Sequence, residues 1–546
     1  INEQGYIEKG YENLLLQSNS FLTTWTTYQA ILTSGQAGYD GTNDAWLLEA
    51  SSTGLLTQTL VNSGIQTFSI YAKAGTTDWI KIRFFGGSTT YINFDLNPST
   101  TGSRIGDSQL VIDAATEDVG NGWFRCSFSI NNATTSFRIR PMSGDNIDGI
   151  AGDNIYIQDA MLNQGLVAYP YIETTTAPVA GGILEDEPRL DWSGSCPSLL
   201  LEPSRTNLTA NSEYTSVTNG SVTYNDAIST EGVQNAVKIT ATSAAFPRFF
   251  STTTLGGGNT YIVSFYVKKG VGDGVGLYGY SSVNYNNVVR FNLDTNEVTY
   301  LQTAFSNGYI EDAGNGWKRC VATLTTPSTG SWSGINALIN KSTNFIQAEV
   351  GDEHYFYGMQ VEQDATYPTS YIPTYGVSQT RLAESCVVNN ATSSIGQTEG
   401  TIFLDFVYEN NGGAFYASYV ANATGFTDFV GWRINDNKTT LDILIRYNNV
   451  FQVLDSAASV FAVGNRYKVA LKYSSGDIKV FVNNQEKYSS TATYTTPSVP
   501  LSKHTISGRS VNLVDSLQQD TISKVNQSIL FPTALSDDEC IALTTI

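Results

Sequence analysis

Apolar and polar residues alternate with a period of two in many short segments of the chain. In FSIYAKAG (Phe68–Gly75), Phe68, Ile70 and Ala72 occupy every second position, and VSFYVKKG (Val263–Gly270) repeats the pattern. Successive side chains of a β-strand point to opposite faces, so each segment predicts a strand with one buried face. Because no long segment has helical periodicity, the pattern predicts an all-β protein.

The C-terminal part of the chain shows the same alternation with different turns. GTIFLDFVY (Gly400–Tyr408) and YKVALKYSSGDIKVFVNNQ (Tyr467–Gln485) both alternate, and the second predicts a hairpin turning at its Ser-Ser-Gly-Asp segment. The terminal LSDDECIALTTI predicts one short helix capped by Ser536, with three acidic residues in its first turn.

Several blocks of the first half of the chain recur in the same order and at a nearly constant spacing. The clearest pair is GNGWFRC (Gly120–Cys126) and GNGWKRC (Gly314–Cys320). GDNIYIQDAMLNQG (Gly152–Gly165) likewise matches GDEHYFYGMQVEQD (Gly351–Asp364). Each copy is too long for one unit of a solenoid and predicts a domain with its own core. After Tyr375 the repeat stops.

These patterns predict three tandem antiparallel β-sandwich domains of the jelly-roll type. Residues 1–180 and 207–375 are the two copies, and residues 376–546 are a different sandwich. Between the copies, residues 181–206 contain PRLDWSGSCPSLLLEPSR, which is too apolar for a free tether. We predict that this linker packs against a neighbouring domain and carries the first strand of the second copy.

Charge and rare residues exclude several classes of function. The 546-residue chain has 50 acidic and 30 basic residues and a net charge of −20, which disfavours nucleic acid and anionic lipid as ligands. Its five cysteines lie far apart and it has two histidines, so a disulfide framework, a zinc site and histidine-based catalysis are not predicted. No apolar run reaches the roughly 20 residues that span a membrane.

The repeated motif predicts architecture rather than chemistry. Asn-Gly favours a tight hairpin turn, after which Trp123 and Arg125 share one face of the strand and are expected to stack. Cys126 falls on the core face, as does Cys320 in the second copy. Lys318 replaces an aromatic residue in this core-side phase, which predicts a position at the edge of the sheet where its ammonium reaches water.

Carboxylates in equivalent turns of the two copies are candidate ligands for calcium. Asp118, Asp153, Asp312 and Asp352 recur at matching positions, and Ca²⁺ takes oxygen ligands that turns often provide. The alternative is that each carboxylate accepts hydrogen bonds from backbone amides of its own turn. No catalytic residues are predicted, and the residues that bind a ligand are left open.

The order of the blocks resembles a known class of protein. NLLLQSNSF, FSIYAKAG, GNGWFRC and the closing YPYI resemble the carbohydrate-binding-module-like jelly rolls of bacteriophage tail-fibre and other virion proteins. SQTRLAESCVV with GDIKVFVNNQE is similar to a C-terminal concanavalin-like (laminin-G-like) domain.

This resemblance implies a non-enzymatic protein of the virion surface that contributes to recognition of host-surface glycans. It also implies other virion proteins as partners and a homo-oligomer, with a trimer as the expected form. Two alternatives remain: a purely structural virion module without sugar binding, and a secreted bacterial protein that binds or depolymerises polysaccharide.

Overall fold

The computed structural model describes residues 1–100, 102–105, 110–184, 187–194, 196–213, 217–249, 253–281, 287–302, 304–328, 332–341, 347–365, 367–384, 386–408, 415–423, 425–435, 437–508 and 524–546. Within them the chain forms strands, one short 3₁₀ turn and one α-helix. It divides into two compact units. Residues 6–186 and 207–379 form the repeat unit, and residues 1–5, 187–206 and 380–546 form the C-terminal unit.

The first copy of the repeat contains thirteen strands. They are β1 (Tyr11–Asn13), β2 (Thr26–Gln36), β3 (Ala45–Asn62), β4 (Ile65–Ala74), β5 (Trp79–Gly86), β6 (Thr90–Asp95), β7 (Gly102–Ile105), β8 (Val111–Gly120), β9 (Trp123–Asn131), β10 (Thr134–Gly144), β11 (Ile147–Asp148), β12 (Asn154–Gln164) and β13 (Val179–Gly181).

The long strand β3 joins the two layers of the first sandwich. Its first half pairs with β12, which continues to β4, β9 and β8, and its second half pairs with β10, which continues to β5, β6 and β7. The ladders of β3 with β10 and β12, of β5 with β10 and of β4 with β12 are antiparallel. Phe68, Ile70 and Ala72 from one layer and Ile82 and Phe84 from the other belong to one buried core. The alternation in FSIYAKAG therefore predicts the buried face correctly.

The strands of the second copy follow the linker. They are β16 (Arg205–Asn207), β17 (Val217–Thr218), β18 (Gly220–Ala227), β19 (Ala236–Ala241), β20 (Arg248–Phe249), β21 (Thr260–Val271), β22 (Gly274–Ser281), β23 (Asn287–Asn292), β24 (Glu297–Leu301), β25 (Phe305–Asp312), β26 (Trp317–Thr325), β27 (Trp332–Asn340), β28 (Glu353–Gln363) and β29 (Gln379–Arg381), with β14 (Leu190–Asp191) and β15 (Ser198–Leu200) lying in the linker itself.

The second copy repeats the strand order of the first in two separate sheets. One runs β18-β19-β28-β21-β26-β25 and the other β17-β20-β27-β22-β23-β24. The counterpart of β3 is interrupted here: β19 and β20 belong to different sheets, and Pro247 immediately precedes β20. Because Pro has no amide hydrogen to give to a ladder, it favours such an interruption.

The two copies pack against each other within the repeat unit. Ile65 and Leu166 of the first copy belong to the buried core that contains Phe265 and Phe291 of the second. Gly64 also lies against the second copy, since a β-carbon at this position would stand 1.6 Å from the carbonyl oxygen of Tyr375. The two predicted sandwiches therefore pack together within one compact unit.

The C-terminal unit begins with β14 and β15 and continues from residue 380. Its later elements are β30 (Cys386–Val388), a 3₁₀ turn (Thr392–Ser394), β31 (Glu399–Tyr408), β32 (Phe415–Asn422), β33 (Gly425–Ile434), β34 (Leu441–Tyr447), β35 (Val450–Ala457), β36 (Asn465–Ser474), β37 (Asp477–Val482), β38 (Gln485–Ser490), β39 (Leu501–Gly508), β40 (Lys524–Phe531) and α1 (Asp537–Leu543). The strands form a sandwich of two sheets, ordered β14-β15-β40-β31-β36-β37-β38 and β30-β39-β32-β33-β34-β35.

Three predictions concern this unit. The hairpin β36–β37 turns at Ser-Ser-Gly-Asp, with Ser474 opposite Asp477, and Ser536 caps α1 in a reciprocal capping box with Glu539; both predictions are confirmed. The linker packs as predicted, but β15 pairs with β40 of the C-terminal unit. Strand β16, at the end of the linker, spans the division between the two units along the chain: Arg205 and Thr206 belong to the C-terminal unit and Asn207 to the repeat unit. None of the helices within the described ranges is long and apolar enough to cross a membrane.

Candidate functional site

The repeated Gly-Asn-Gly-Trp motif forms the β8–β9 hairpin in the first copy and the β25–β26 hairpin in the second. Asn121 and Gly122 have φ angles of 55° and 77°, and Asn315 and Gly316 have 51° and 80°. Positive φ at both central residues is the geometry that Asn-Gly favours in two-residue hairpins. The predicted turn is therefore confirmed in both copies.

The tryptophan of the motif is buried and cannot be a platform for a sugar ring. Trp123 and Trp317 are each 1% exposed. The indole nitrogen of Trp317 donates a hydrogen bond to the carbonyl of Ile228 at 3.0 Å. A ring enclosed in this way stabilises the fold, as the structural interpretation of the motif predicts.

The arginine of the motif stacks on a tyrosine rather than on the tryptophan. The guanidinium of Arg125 lies over the ring of Tyr71 at 5.5 Å, and its Nη2 donates to Ser69 Oγ at 3.2 Å and to the carbonyl of Tyr169. The predicted stacking with Trp123 is wrong because Tyr71, opposite Arg125 on the paired strand β4, takes that place.

The second copy repeats this arrangement. Arg319 lies over Tyr266 at 5.2 Å, and its Nη2 donates to Ser264 Oγ at 3.1 Å and to the carbonyl of Thr369 at 2.7 Å. In both copies the arginine therefore links its strand to the segment that follows β12 or β28, which contains Tyr169 in the first copy and Thr369 in the second.

The cysteines of the motif lie in the core. Cys126 and Cys320 are both 0% exposed, and burial raises the pKa of each thiol well above its usual value. The prediction that they pack as small apolar side chains is confirmed.

Lys318 departs from its predicted position. Its strand β26 is not the edge strand, because β25 lies outside it. Lys318 occupies the second position of β26, near the end of the sheet, and its ammonium donates to the carbonyl of Leu293 and to Asn296 Oδ1. A strand end gives the long side chain access to the β23–β24 turn, where polar partners are available.

The candidate calcium ligands each accept hydrogen bonds within their own turns. Asp118 Oδ1 accepts from the amide of Gly120 at 2.8 Å, and Asp312 Oδ1 accepts from the amide of Gly314 at 2.9 Å. This is the local role that Asp commonly has in turns.

The other two carboxylates behave in the same way. Asp153 Oδ2 accepts from the amide of Ile150 at 2.9 Å, and Asp352 Oδ2 accepts from the amide of Glu349 at 2.7 Å. Across the residues that the structure describes, no group of three or more His, Cys, Asp or Glu side chains is arranged to hold a metal ion. Calcium binding by these turns stays a prediction.

A cleft of about 310 Å³ lies between the two copies within the repeat unit. Its volume is at the lower end of the range of about 300–1,000 Å³ in which small-molecule sites fall. Strands β4, β8 and β9 of the first copy line one side, and the region around β18 lines the other. The polar lining residues are Thr67, Asp113, Glu117, Arg125, Ser127 and Ser129 from the first copy and Asn225 and Gln234 from the second.

Three of the residues that line this cleft have a buried polar atom without a hydrogen-bond partner among the described residues. The atoms are Arg125 Nε, Ser129 Oγ and Asn225 Oδ1. The amide group of Asn225 is held in place from the other side, since its Nδ2 donates to Asp113 Oδ2 at 2.5 Å and to the carbonyl of Leu166 at 3.2 Å. An unpartnered buried polar atom costs roughly 1–3 kcal/mol, so a ligand that completes these bonds gains binding energy.

The three atoms offer a mixed set of bonds. Arg125 Nε donates, Asn225 Oδ1 accepts and the Ser129 hydroxyl does both. A ligand rich in hydroxyl groups matches such a set, because each hydroxyl also donates and accepts. The sequence pattern singles out Arg125 only. Ser129 and Asn225 belong to different copies, and nothing local in the sequence indicates that they line one cleft.

Comparison with known proteins adds fold-level similarity only. No protein-family model and no curated protein sequence matches the chain. Among solved structures, the carbohydrate-binding module CBM40 of the Ruminococcus gnavus IT-sialidase, bound to α2,3-sialyllactose, is 17% identical, with 30% of this chain and 97% of that chain covered and a TM-score of 0.26.

Two longer matches are weaker still. The tandem CBM22 modules of Paenibacillus barcinonensis Xyn10C are 12% identical over 66% of this chain and 99% of theirs, with a TM-score of 0.21. Mouse laminin α1 domains LG4-5 are 11% identical over 65% of this chain and 96% of theirs, with a TM-score of 0.19. Similarity at this level carries no functional argument, and the all-β sandwich assignment rests on the strands and ladders described above.

Proposed function

We propose that this protein binds a glycan in the cleft between the two copies of the repeat, without hydrolysing it. The observation that carries the proposal is that Arg125, Ser129 and Asn225 all line one cleft of about 310 Å³. Each of them has a buried polar atom without a partner in the described residues: Arg125 Nε, Ser129 Oγ and Asn225 Oδ1. Saccharide hydroxyls would satisfy all three atoms, and the neighbouring carboxylates of Asp113 and Glu117 would accept further hydroxyl hydrogens.

Binding without hydrolysis is favoured by the positions of the carboxyl groups. A glycosidase needs a carboxylic acid that stays protonated near neutral pH. Burial raises the pKa of Asp159 to about 7 and also raises the pKa values of Glu213 and Glu362. None of these three residues lines the cleft.

The direct test uses Ser129→Ala in the full chain. Because the Ser129 hydroxyl has no partner in the described residues, its removal should not lower the free energy of unfolding, whereas it should weaken glycan binding by about fivefold to tenfold. A glycan array identifies the ligand and calorimetric titration measures the affinity. The matched control is Thr323→Ala on β26 of the second copy, outside the cleft.

Two results would contradict the proposal. One is a glycan that binds Ser129→Ala and wild type equally, which would place the site elsewhere. The other is release of reducing ends from a bound polysaccharide, which would favour the secreted depolymerising alternative.

We further propose that the protein is displayed on the surface of a phage particle, as an oligomer that is expected to be a trimer and is bound to other virion proteins. The support is the resemblance of the repeated blocks to virion jelly rolls. Immunogold labelling of purified particles tests the location, and light scattering tests the oligomer. A chain absent from particles would contradict this placement. A particle defect on deletion without any glycan binding would favour the purely structural alternative.

A further inference from the structure

A second polar surface lies on the outer face of the first sandwich. On β5, Ile80, Ile82 and Phe84 are at most 1% exposed and belong to the core. Lys81 and Arg83 alternate with them, so their side chains leave the opposite face of the sheet. Arg83 is partly exposed there, whereas Lys81 is 5% exposed and its ammonium lies 4.3 Å from the centre of the Tyr91 ring.

Strand β10 adds two more cations directly beside these. The register of the ladder places Arg138 opposite Arg83 and Arg140 opposite Lys81. We call these four residues the basic face. Like charges placed directly opposite each other on a sheet are destabilising, and they occur here in a chain whose net charge is −20.

Nearby carboxylates of the described residues neutralise only part of the positive charge of the basic face. Arg140 Nη2 lies 3.3 Å from Asp148 Oδ1, and that aspartate side chain is 61% exposed. Lys81 Nζ donates to the neutral Asn146 Oδ1 at 3.0 Å. Burial lowers the pKa of Lys81 and the neighbouring arginines lower it further, against the opposing effect of Asp148 and Asp145. Within the described residues, the structure therefore places two carboxylates, those of Asp148 and Asp145, close enough to affect this group of four cations.

The two central guanidinium groups are held in place without being neutralised. Arg83 and Arg138 lie over the ring of Phe85 at 4.7 and 4.2 Å. The Nε atoms of both are buried without a partner in the described part of the chain. Stacking orients the planar groups, and both side chains are partly exposed, so that a ligand can reach them.

We propose that the basic face binds a saccharide that carries carboxylate or sulfate groups. Guanidinium groups bind such planar or tetrahedral anions through paired, charge-assisted hydrogen bonds. The pairs Arg83–Arg138 and Lys81–Arg140 are two residues apart along the strand, which corresponds to about 7 Å. This spacing suits a segment with more than one acidic group along its length.

The remaining charge of the protein favours a saccharide over a nucleic acid or a membrane. A net charge of −20 repels a densely charged duplex or an anionic bilayer, whereas a sparsely charged glycan segment contacts only the basic face. This site is separate from the cleft and involves none of its lining residues.

The test is titration of the full chain with a hyaluronan oligosaccharide as the carboxylate probe and a chondroitin sulfate oligosaccharide as the sulfate probe. Arg83→Gln and Arg138→Gln should each weaken binding of at least one probe about tenfold, and Arg138→Lys should retain part of it because the charge remains. Raising the salt concentration should weaken binding by wild type more than by the Gln variants.

The control is Arg446→Gln in the C-terminal unit, whose guanidinium also lies over a phenylalanine, Phe451, at 5.2 Å. This variant should bind as wild type does. Removing one of two opposed like charges should leave the melting temperature of Arg138→Gln unchanged or raised, so that loss of binding is not loss of fold.

The proposal is overturned if Arg83→Gln and Arg138→Gln bind both probes as tightly as Arg446→Gln does, or if only a DNA duplex or anionic vesicles bind. If Ser129→Ala lost binding of the acidic saccharide while the basic-face variants kept it, the saccharide would bind in the cleft and not at the basic face. These outcomes distinguish failure of the basic-face proposal from failure of the proposal that the cleft binds a glycan.

Discussion

Replacing Lys9 by Met should destabilise the repeat unit strongly, because Lys9 is the cation of a buried ionic cluster. Its ammonium lies 2.8 Å from Glu231 Oε1 and 3.5 Å from Glu213 Oε1, and the three side chains are 6%, 3% and 1% exposed. The rings of Tyr169 and Tyr375 lie 5.2 Å from the same ammonium. Lys9 and Tyr169 belong to the N-terminal part of this unit, and both glutamates belong to the second copy.

The size of this destabilisation follows from the two charged groups that Lys9→Met leaves unpaired. Two buried carboxylates remain without their ammonium, and breaking a buried ion pair by removing one partner costs about 3–5 kcal/mol. For a large domain, each kcal/mol lowers the melting temperature by about 2 °C. We therefore expect the melting transition of the repeat unit to fall by roughly 6–10 °C.

The effect should depend on pH in a defined direction. Burial raises the pKa of Glu213, and Lys9 lowers it again. A carboxyl group whose pKa is raised in the folded state contributes stability below its unfolded pKa, and this is lost as the pH rises through the folded pKa. Without Lys9 that folded pKa is higher still. The difference between Lys9→Met and wild type should therefore shrink as the pH falls from 7 toward about 4.5.

Differential scanning calorimetry measures the melting temperature of the repeat unit at each pH, because it can resolve the separate transitions of two units. The matched control is Lys269→Met, which removes an ion pair with Asp294 whose side chains are 38% and 53% exposed; such pairs contribute at most about 1 kcal/mol. A shift in Lys9→Met no larger than in Lys269→Met at pH 7, or one that grows on acidification, would refute the reasoning.

Two further predictions concern local features. Ser536→Ala removes the cap of α1 and should lower the free energy of unfolding of the C-terminal unit by about 1 kcal/mol, read from urea unfolding, whereas Glu539→Gln should lower it less. The exposed Cys196 should react first with a thiol reagent in the native protein, and Cys126 and Cys320 should react only after denaturation; rapid native labelling of either buried thiol would show that its strand opens.

The features predicted correctly from the sequence are those that neighbouring residues determine. Alternation identifies the buried face of β4, the Asn-Gly pair identifies the turn before Trp123, and Ser536 with Glu539 identifies the start of α1. Each depends on side chains a few positions apart, which backbone geometry brings together in any fold.

The features that the sequence does not indicate depend on pairing and packing over long distances. Arg125 stacks on Tyr71 because the register of β4 and β9 places them opposite each other. Ser129 and Asn225 line the same cleft because the two copies pack together, an arrangement that is not encoded in either copy alone. The alternation does place Arg83 and Arg138 on outer faces, but only the ladder β5–β10 makes them neighbours.

Comparing the two copies distinguishes residues that both sandwiches need for their fold from residues that only one copy has. Asn13 and Asn207 have the same role, since their Nδ2 atoms donate to the carbonyls of Ala160 and Ile172 in the first copy and of Met359 and Ile372 in the second. Such shared residues hold each sandwich closed.

The basic face has no equivalent in the second copy. Strands β22 and β27 occupy the places of β5 and β10 in the strand order. The paired positions there are Tyr278 with Asn336 and Gly276 with Leu338, none of which is charged. Because both copies fold into the same sandwich, the cations of the first copy are not required by the fold. Their mutual repulsion is retained at a cost in stability, which is the pattern expected when a ligand, rather than packing, selects the residues.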